Sequence, residues 1–266
     1  MKFSSITYPA TLFITVVATS AASAQLQDSY LSDGNGTIFH LDSDTLVATE
    51  VGQMQIGNLF TDMEYLGDGR IVVNSAFAMM SYDLNTSTQT TLFTSQEVQS
   101  EPSGVSLLSG LTLQSDGDLY FTSLLHGPSG RHFAGATYDP NTESIDLLAG
   151  SPFPYLYLDH HEISPGRMLG TESETRTIDI FDPSTGIVET SYTLDLEVYS
   201  FVEFDDVLFV LTSGNHLYTF DHTSGATEFY GTITGTSDAL LGITVPTPSS
   251  AVAAGLAAMM YTRRRR

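Results

Sequence analysis

Histidine and acidic residues in two segments are the side chains whose types suit metal binding or acid–base chemistry. One segment is the run Asp159-His160-His161-Glu162, and the other is residues 124–135, which contain His126, Arg131 and His132. Neutral imidazole and carboxylate groups that converge from several strands can bind a divalent cation. A bound cation can then activate water, so the two segments together predict a candidate metal site.

Strand geometry limits how many of these groups can meet. Successive side chains of a strand point to opposite faces, so the acidic run supplies at most two ligands. The predicted set is Asp159, His161, His126 and His132, with Ca or Zn as the metal. Further carboxylates are expected to approach the same face from other units, namely Asp62, Glu64, Glu203 and Asp238. The favoured alternative is that all of these are ordinary polar residues on the rim of an acidic protein.

The charge distribution excludes one class of partner. Between residues 25 and 245 there are four arginines, no lysine and 31 acidic residues, which give a net charge of −27. Affinity for nucleic acid depends on Lys and Arg that neutralise phosphates, so a nucleic-acid partner is excluded. The surplus of carboxylates has two interpretations. It can keep the protein soluble in a salty extracellular medium, which is the favoured interpretation, or it can bind a cationic partner.

Other catalytic constellations are absent from the sequence. There is no cysteine, no Gly-x-Ser-x-Gly elbow, no phosphate-binding glycine loop and no EF-hand loop. The acidic turn at Ser32–Gly36 is too short for a calcium loop, and its Asn-Gly pair predicts a plain hairpin. Without cysteine, the chain depends on its core rather than on disulfides for stability.

The elements that would position these residues follow from a repeat. An apolar residue followed by Asp and a polar turn occurs five times, with spacings of 41, 56, 43 and 39 residues, at Asp42, Asp83, Asp139, Asp182 and Asp221. An Asp that begins a turn accepts a hydrogen bond from the backbone two residues later. These motifs predict hairpins between the two outer strands of each unit, and the long spacing marks an insertion at residues 124–135.

A second motif accompanies each turn and completes the unit. It is an apolar stretch, an Asp-Gly turn and an alternating strand, as in residues 63–73 and 111–121, with looser copies at 163–169 and 202–210. Four strands in 40–45 residues are typical of a propeller blade. The sequence therefore predicts an all-β, five-bladed propeller, closed by pairing of the strand at 239–245 with the segment around Tyr30. Six blades and a β-sandwich are the alternatives. The candidate site is expected at the end of the ring that carries the loops entering the innermost strands.

Both ends of the chain carry targeting signals. Residues 1–24 combine Lys2, the apolar run 10–18 and the small-residue site Ala22-Ser23-Ala24, which predicts a secretory signal cleaved before Gln25. At the other end, Pro246-Thr247-Pro248 precedes an apolar run, residues 251–260, that is too short to span a bilayer as a helix. The chain closes on a basic cluster, Arg263, Arg264, Arg265 and Arg266, which is expected to stay cytoplasmic.

This tail resembles the PEP-CTERM sorting signal in a Pro-Thr-Pro variant. The resemblance covers residues 246–266, with Thr247 where Glu is commoner. It implies export through the Sec machinery, transient insertion in the inner membrane and recognition by an exosortase. It also implies a final location in the cell envelope, at the cell surface or in the extracellular matrix. The predicted organisation is therefore a signal peptide at 1–24, a propeller at 25–245 and a sorting tail at 246–266.

The residues favour a binding role over catalysis. The leading hypothesis is a non-catalytic propeller that binds a glycan, such as an exopolysaccharide, or another surface protein. The alternative is a metal-assisted hydrolase, lyase or lactonase-like enzyme that uses the His/Asp cluster. A purely structural surface protein is the third possibility.

Overall fold

The computed structural model describes residues 29–55, 60–67, 69–98, 107–127, 130–148, 156–172 and 175–245. Within these ranges the chain forms five four-stranded antiparallel sheets, which are the blades of a five-bladed β-propeller. This confirms the predicted fold and number of blades. Both predicted signals, with Ala22, Ala24 and Gln25 at one end and residues 246–266 at the other, lie outside the described residues.

Each blade is a meander of four antiparallel strands, ordered from the innermost strand outward. Blade 1 contains β20 (Leu240–Thr244), β1 (Ser29–Asp33), β2 (Thr37–Asp42) and β3 (Val47–Gln53). Blade 2 contains β4 (Phe60–Gly67), β5 (Arg70–Ser75), β6 (Ala78–Asp83) and β7 (Thr88–Thr94). Blade 3 contains β8 (Leu107–Leu113), β9 (Leu119–Gly127), β10 (Gly130–Asp139) and β11 (Ser144–Leu147).

The last two blades follow the same order. Blade 4 contains β12 (Asp159–Ser164), β13 (Arg167–Glu172), β14 (Thr177–Phe181) and β15 (Val188–Thr193). Blade 5 contains β16 (Val198–Phe204), β17 (Val207–Thr212), β18 (His216–Asp221) and β19 (Ala226–Thr232). None of the described segments is a helix long and apolar enough to cross a membrane.

The ring closes as the sequence predicted. Strand β20 pairs antiparallel with β1, with Ile243 opposite Leu31 and Thr244 opposite Tyr30. The last described strand thus completes the first blade, and the inner edge of β1 is not left unpaired.

The repeated Asp turns adopt the predicted geometry. In all five blades the Asp carboxylate accepts a hydrogen bond from the N–H two residues later, over 2.7–3.0 Å. Every one of these turns joins the third strand of a blade to its fourth. The hydrogen bonds hold the pKa of each Asp below its ordinary value, so these carboxylates belong to local turn structure.

The hydrophobic core is divided among the junctions between blades. Five buried clusters occur in the described residues, each formed by two neighbouring blades. The junction of blades 3 and 4 has the fewest buried members, which are Tyr120, Tyr157, Met168 and Phe181. The described residues of the predicted insertion lengthen strands β9 and β10, which pair as far as Gly127 opposite Gly130.

The direction of the strands defines two faces. All innermost strands run the same way, so the loops that lead into them lie at one end of the ring, which we call the loop face. The hairpins between the first and second strands, and those at the Asp turns, lie at the opposite end, which we call the turn face.

Candidate functional site

Equivalent positions on the innermost strands form a partial ring of hydrogen bonds around the central channel. Asp62 of β4 accepts the N–H of Leu111 in the next blade over 2.7 Å. In the same way Asp159 of β12 accepts the N–H of Phe201. Ser200 of β16 accepts that of Ile243 over 3.2 Å. These side chains link three of the five blade junctions.

Two of these ring residues, Asp62 and Asp159, form a carboxylic acid–carboxylate pair across the channel. Both are buried, and a hydrogen bond joins their side chains. Burial raises the pKa of Asp62 well above its usual range, and the neighbouring Asp159 charge raises it further. Burial also raises the pKa of Asp159, and two carboxylates this close cannot both ionise, so the pair shares one proton.

Glu64 lies two residues along β4 from Asp62, on the same side of the strand. Its Oε2 accepts the hydroxyl of Thr244 over 3.0 Å, and its Oε1 accepts the N–H of Leu113 over 3.3 Å. Burial raises the pKa of Glu64 to about 7, and the negative charge of Asp159 adds to the effect. Glu64 is therefore partly protonated at neutral pH, although it borders an open pocket.

His161 and Glu203 form the outer part of the same group. Nε2 of His161 lies 2.8 Å from Oε2 of Glu203, and their side chains are 18% and 43% exposed. The hydrogen bond to His161 lowers the pKa of Glu203, so this carboxylate is ionised. The site thus contains two glutamates with different protonation, Glu64 as the acid and Glu203 as the anion.

These residues border two adjoining pockets on the turn face. The channel pocket has a volume of about 630 Å³ and is bordered by Glu64, Thr112, Phe201 and Val245. The outer pocket, between blades 4 and 5, has a volume of about 670 Å³ and is bordered by Phe220, His222 and Glu228. Both pockets are bordered by His161, Glu203 and Asp206, so they adjoin, and we call the two pockets together the turn-face groove.

The groove is acidic. The channel pocket is lined by Glu64, Glu162, Glu203, Asp205 and Asp206, and the outer pocket adds Asp221 and Glu228. Neither lining includes a lysine or an arginine, and His161 and His222 are the residues there that can become cationic. An anionic ligand would meet a repulsive field in this groove.

On the face of β12 that points away from the channel, the buried side chain is surrounded by aromatic rings. The His160 ring is buried and lies edge-on to Tyr120, Tyr157 and Phe181, with ring centroids 5.1–5.9 Å apart. Neither ring nitrogen has a hydrogen-bond partner among the described residues. Burial lowers the pKa of His160 to about 3, so the ring is neutral. It occupies the space beside Gly110, where a Cβ would clash with Nδ1 of His160.

The four predicted metal ligands lie on different parts of the fold. Asp159 and His161 share the channel side of β12, as their spacing indicated. His132 is on β10, the third strand of blade 3, and His126 is on β9, with a side chain outside the described part. Among the residues that the structure describes, no group of three or more His, Asp or Glu is placed to hold a metal ion.

The supporting acidic residues also differ in position. Glu64 and Glu203 border the groove on the turn face, whereas the sequence predicted a site on the loop face. Asp238 is exposed in the loop before β20, where its backbone carbonyl accepts the Asn215 amide over 3.0 Å. The sequence pattern did not predict that Asp62 pairs with Asp159. The alternation does place Asp62 on the same strand face as Glu64, and Asp159 on the same strand face as His161.

Comparison with known proteins supports the fold. No family model matches the chain, and no curated protein matches it. A chain of the nidogen–laminin complex is similar at 11% identity with a TM-score of 0.53, over 82% of this chain and 98% of that one. A protein of unknown function from Bacteroides caccae is similar at 12% identity with a TM-score of 0.53, over 76% and 72%. A streptogramin B lyase structure aligns at 16% identity with a TM-score of 0.44, over 80% and 71%. The chain is a five-bladed β-propeller, similar in fold to the first two of these proteins.

Proposed function

We propose that this chain is an exported protein of the cell envelope or extracellular matrix whose propeller binds a glycan in the turn-face groove. The observation that carries the proposal is the groove itself, two pockets of about 630 and 670 Å³ that join at His161, Glu203 and Asp206. Two adjoining concave pockets with polar walls suit neighbouring units of an extended sugar polymer.

The charge of the groove restricts the glycan class. With carboxylates along both pockets and no lysine or arginine in their linings, sulfated or uronate polymers are repelled. The proposed ligand is therefore a neutral or amine-bearing glycan.

A glycan array tests this proposal with the full chain and two matched variants. Glu203→Arg places a long cationic side chain where the two pockets join, so it is expected to weaken glycan binding at least tenfold. Glu50→Arg makes the same charge change on the exposed outer strand β3 and is expected to bind like the wild type. No glycan binding by the wild type, or equal binding by both variants, would overturn the assignment to the groove.

The route to the outside is proposed from the two terminal signals. The signal at 1–24 directs export, and the tail at 246–266 is the substrate of an exosortase-like system. Val245, the residue before the tail, lies on the channel pocket. Expression in a host with an exosortase tests this route. Replacement of Pro246, Pro248 and the four terminal arginines by Ala should stop processing, and processing of that variant at the wild-type rate would refute it.

The metal-assisted alternative has a direct test of its own. It remains a prediction from Asp159, His161, His126 and His132, of which two share a strand face. Metal analysis of the purified chain, and titration with Ca²⁺ and Zn²⁺, would support it if stoichiometric binding were lost in His161→Ala.

A further inference from the structure

The residue that precedes the C-terminal tail lies on the turn-face groove. Val245 is buried, borders the channel pocket and is the last described residue of the chain. A peptide bond ties residues 246–266 to this position. A tethered segment has an effective concentration on the order of millimolar near its attachment point, so the tail can bind the groove without high intrinsic affinity.

The tail is long enough to reach both pockets. The chain from Val245 to Arg263 can span up to roughly 60 Å when fully extended. A domain of this size has a radius of gyration of only about 17 Å. The arginine cluster can therefore reach the outer pocket as well as the channel pocket.

The charges of the groove and of the tail are complementary. The groove is bordered by exposed carboxylates, which belong to Glu203, Asp205, Asp206 and Glu228. Its lining residues include no lysine or arginine. The tail contains the basic cluster 263–266 and no acidic residue. A guanidinium group pairs with a carboxylate through two parallel hydrogen bonds, so an arginine cluster suits this wall.

The apolar part of the tail has a counterpart in the groove as well. Half-buried apolar side chains border the pockets, among them Leu66, Phe204 and Ile163. The tail carries an apolar run at 251–260 before its arginines. Contact between apolar surfaces adds a stabilisation that salt does not screen, and a purely cationic ligand would lack it.

We propose that residues 246–266 dock in the turn-face groove of their own chain, with the arginine cluster against the groove carboxylates. A docked tail covers the surface proposed for the glycan and competes with it. Membrane insertion and docking exclude each other, because the arginines cannot both stay in the cytoplasm and contact an exported propeller. The groove therefore opens when the tail is inserted in a membrane or cleaved. This competition rests on the proposed glycan site, whereas docking itself does not.

Disulfide cross-linking in the full chain tests docking without any glycan. The sequence has no cysteine, so every thiol is an introduced one. One variant combines Thr262→Cys with Ala226→Cys, at the border of the outer pocket. The matched control combines Thr262→Cys with Ser144→Cys, because Ser144 is exposed at the start of β11 as Ala226 is at the start of β19. Oxidation with glutathione disulfide, without detergent, should close the first pair at least about tenfold faster than the second.

Charge variants in the double-cysteine background test the arginine contacts. Replacement of Arg263–Arg266 by Gln should lower the closure rate of the first pair to that of the control pair. Glu203→Arg should lower it too, because it places a cation where the two pockets adjoin. Glu50→Arg, on the exposed strand β3, should leave it unchanged. Thermal unfolding checks that each variant is folded.

Three cross-linking results would overturn docking within one chain. The first is equal closure of the two cysteine pairs, and the second is a preference that persists after the arginines are replaced. The third is a disulfide-linked dimer in place of the closed monomer, which would give the groove to the tail of a second copy.

The glycan array then tests the competition. The chain with Arg263–Arg266 replaced by Gln should bind the glycan at least about fivefold more tightly than the wild type, because its tail no longer competes. Equal affinities would overturn the competition and leave docking in place. If neither chain binds a glycan, the proposed function and the competition fail together, and the cross-linking result still decides docking.

Discussion

The two sides of strand β12 surround their buried polar side chains with different kinds of contact. Asp159, on the channel side, accepts the N–H groups of His160 and Phe201 and shares a proton with Asp62. His160, on the other side, is equally buried but has no hydrogen-bond partner among the described residues and contacts aromatic rings. Of these two neighbouring residues, Asp159 is therefore held by hydrogen bonds and His160, as a neutral ring, by packing.

This difference indicates which polar residues stabilise the ring of blades. On the channel side, side chains join the blades by accepting backbone N–H groups. Removal of one acceptor therefore leaves a buried N–H group of another blade without a hydrogen-bond partner. The His160 side joins blades 3 and 4 through aromatic contacts, for which an apolar residue can substitute. Substitutions on the two sides of β12 should therefore differ in the free energy of unfolding and in its pH dependence.

Asp159→Ala should have the largest effect. It removes the acceptor of two buried N–H groups and leaves Asp62 without its partner, which is expected to lower the free energy of unfolding by about 3–5 kcal/mol. Urea unfolding at pH 7 measures the change. The control is Asp146→Ala, which removes an exposed carboxylate from β11 and should change the free energy by less than about 0.5 kcal/mol. Similar losses in the two variants would contradict the role of the channel network.

Glu64→Gln should remove a pH dependence on the neutral side. The pKa of Glu64 is about 7 in the folded protein against an ordinary value of 4.5, so the folded state holds more protons between these values. Stability from this group is complete below pH 4.5 and is lost as the pH rises through 7. At about 1.4 kcal/mol per pKa unit, the loss is on the order of 3 kcal/mol.

Urea unfolding of the wild type and Glu64→Gln from about pH 4 to 8 measures this effect. The variant should have a flatter profile between pH 4.5 and 7. Parallel profiles for the two proteins would mean that Glu64 is ionised throughout this range in the folded state.

His160→Leu should remove a pH dependence of stability that has the opposite sign and lies on the acidic side. The pKa of His160 is lowered from 6.5 to about 3, so between these values the unfolded state binds a proton that the folded state does not. Stability then rises with pH across this window, and the histidine is most costly in acid. The leucine variant should be as stable as the wild type at about pH 7, within about 1 kcal/mol, and more stable near about pH 4.

Thermal unfolding of His160→Leu at these two pH values tests this reversal of sign. The matched control is His216→Leu, since His216 lies on the surface of blade 5 and its Nδ1 contacts the Thr232 hydroxyl over 2.9 Å. A loss of more than about 2 kcal/mol in His160→Leu at neutral pH would show that the imidazole has a hydrogen-bonded partner, such as a trapped water molecule.

Local features of this fold could be predicted from sequence because they depend on neighbouring residues. The turn at Asp182 needs only its own carboxylate and the Ser184 N–H, and both are visible in the sequence. Pairing of the 239–245 strand with the segment around Tyr30 followed from one missing and one surplus strand in a counted repeat. The alternation along β12 correctly placed Asp159 and His161 on one side.

The arrangement around the channel could not be predicted because it depends on how blades meet. Asp62 and Asp159 are far apart in sequence, and no local signal states which innermost strands face each other across the channel. The bulge at Gly110, where φ is +60°, creates the space for the His160 ring in the next blade. The position of the groove on the turn face likewise follows from the packing of blades 4 and 5, not from any motif.

Two buried serines give the smallest expected difference between a hydroxyl with a hydrogen-bond partner and one without a partner among the described residues. Ser200 accepts the Ile243 N–H, whereas the Ser109 hydroxyl has no hydrogen-bond partner among the described residues. Ser200→Ala should therefore lower the free energy of unfolding by about 1–2 kcal/mol, and Ser109→Ala by less than about 0.5 kcal/mol. The chemical change is identical and both sites are buried, so the difference reports the hydrogen bonds that Ser200 makes with Ile243 in blade 1 and with Asp159 in blade 4. Amide exchange at Ile243 measures the first of these bonds directly, and it should accelerate in Ser200→Ala only. Equal destabilisation by the two alanines would mean that burial of the hydroxyl, and not its partner in the ring, sets the contribution of these residues.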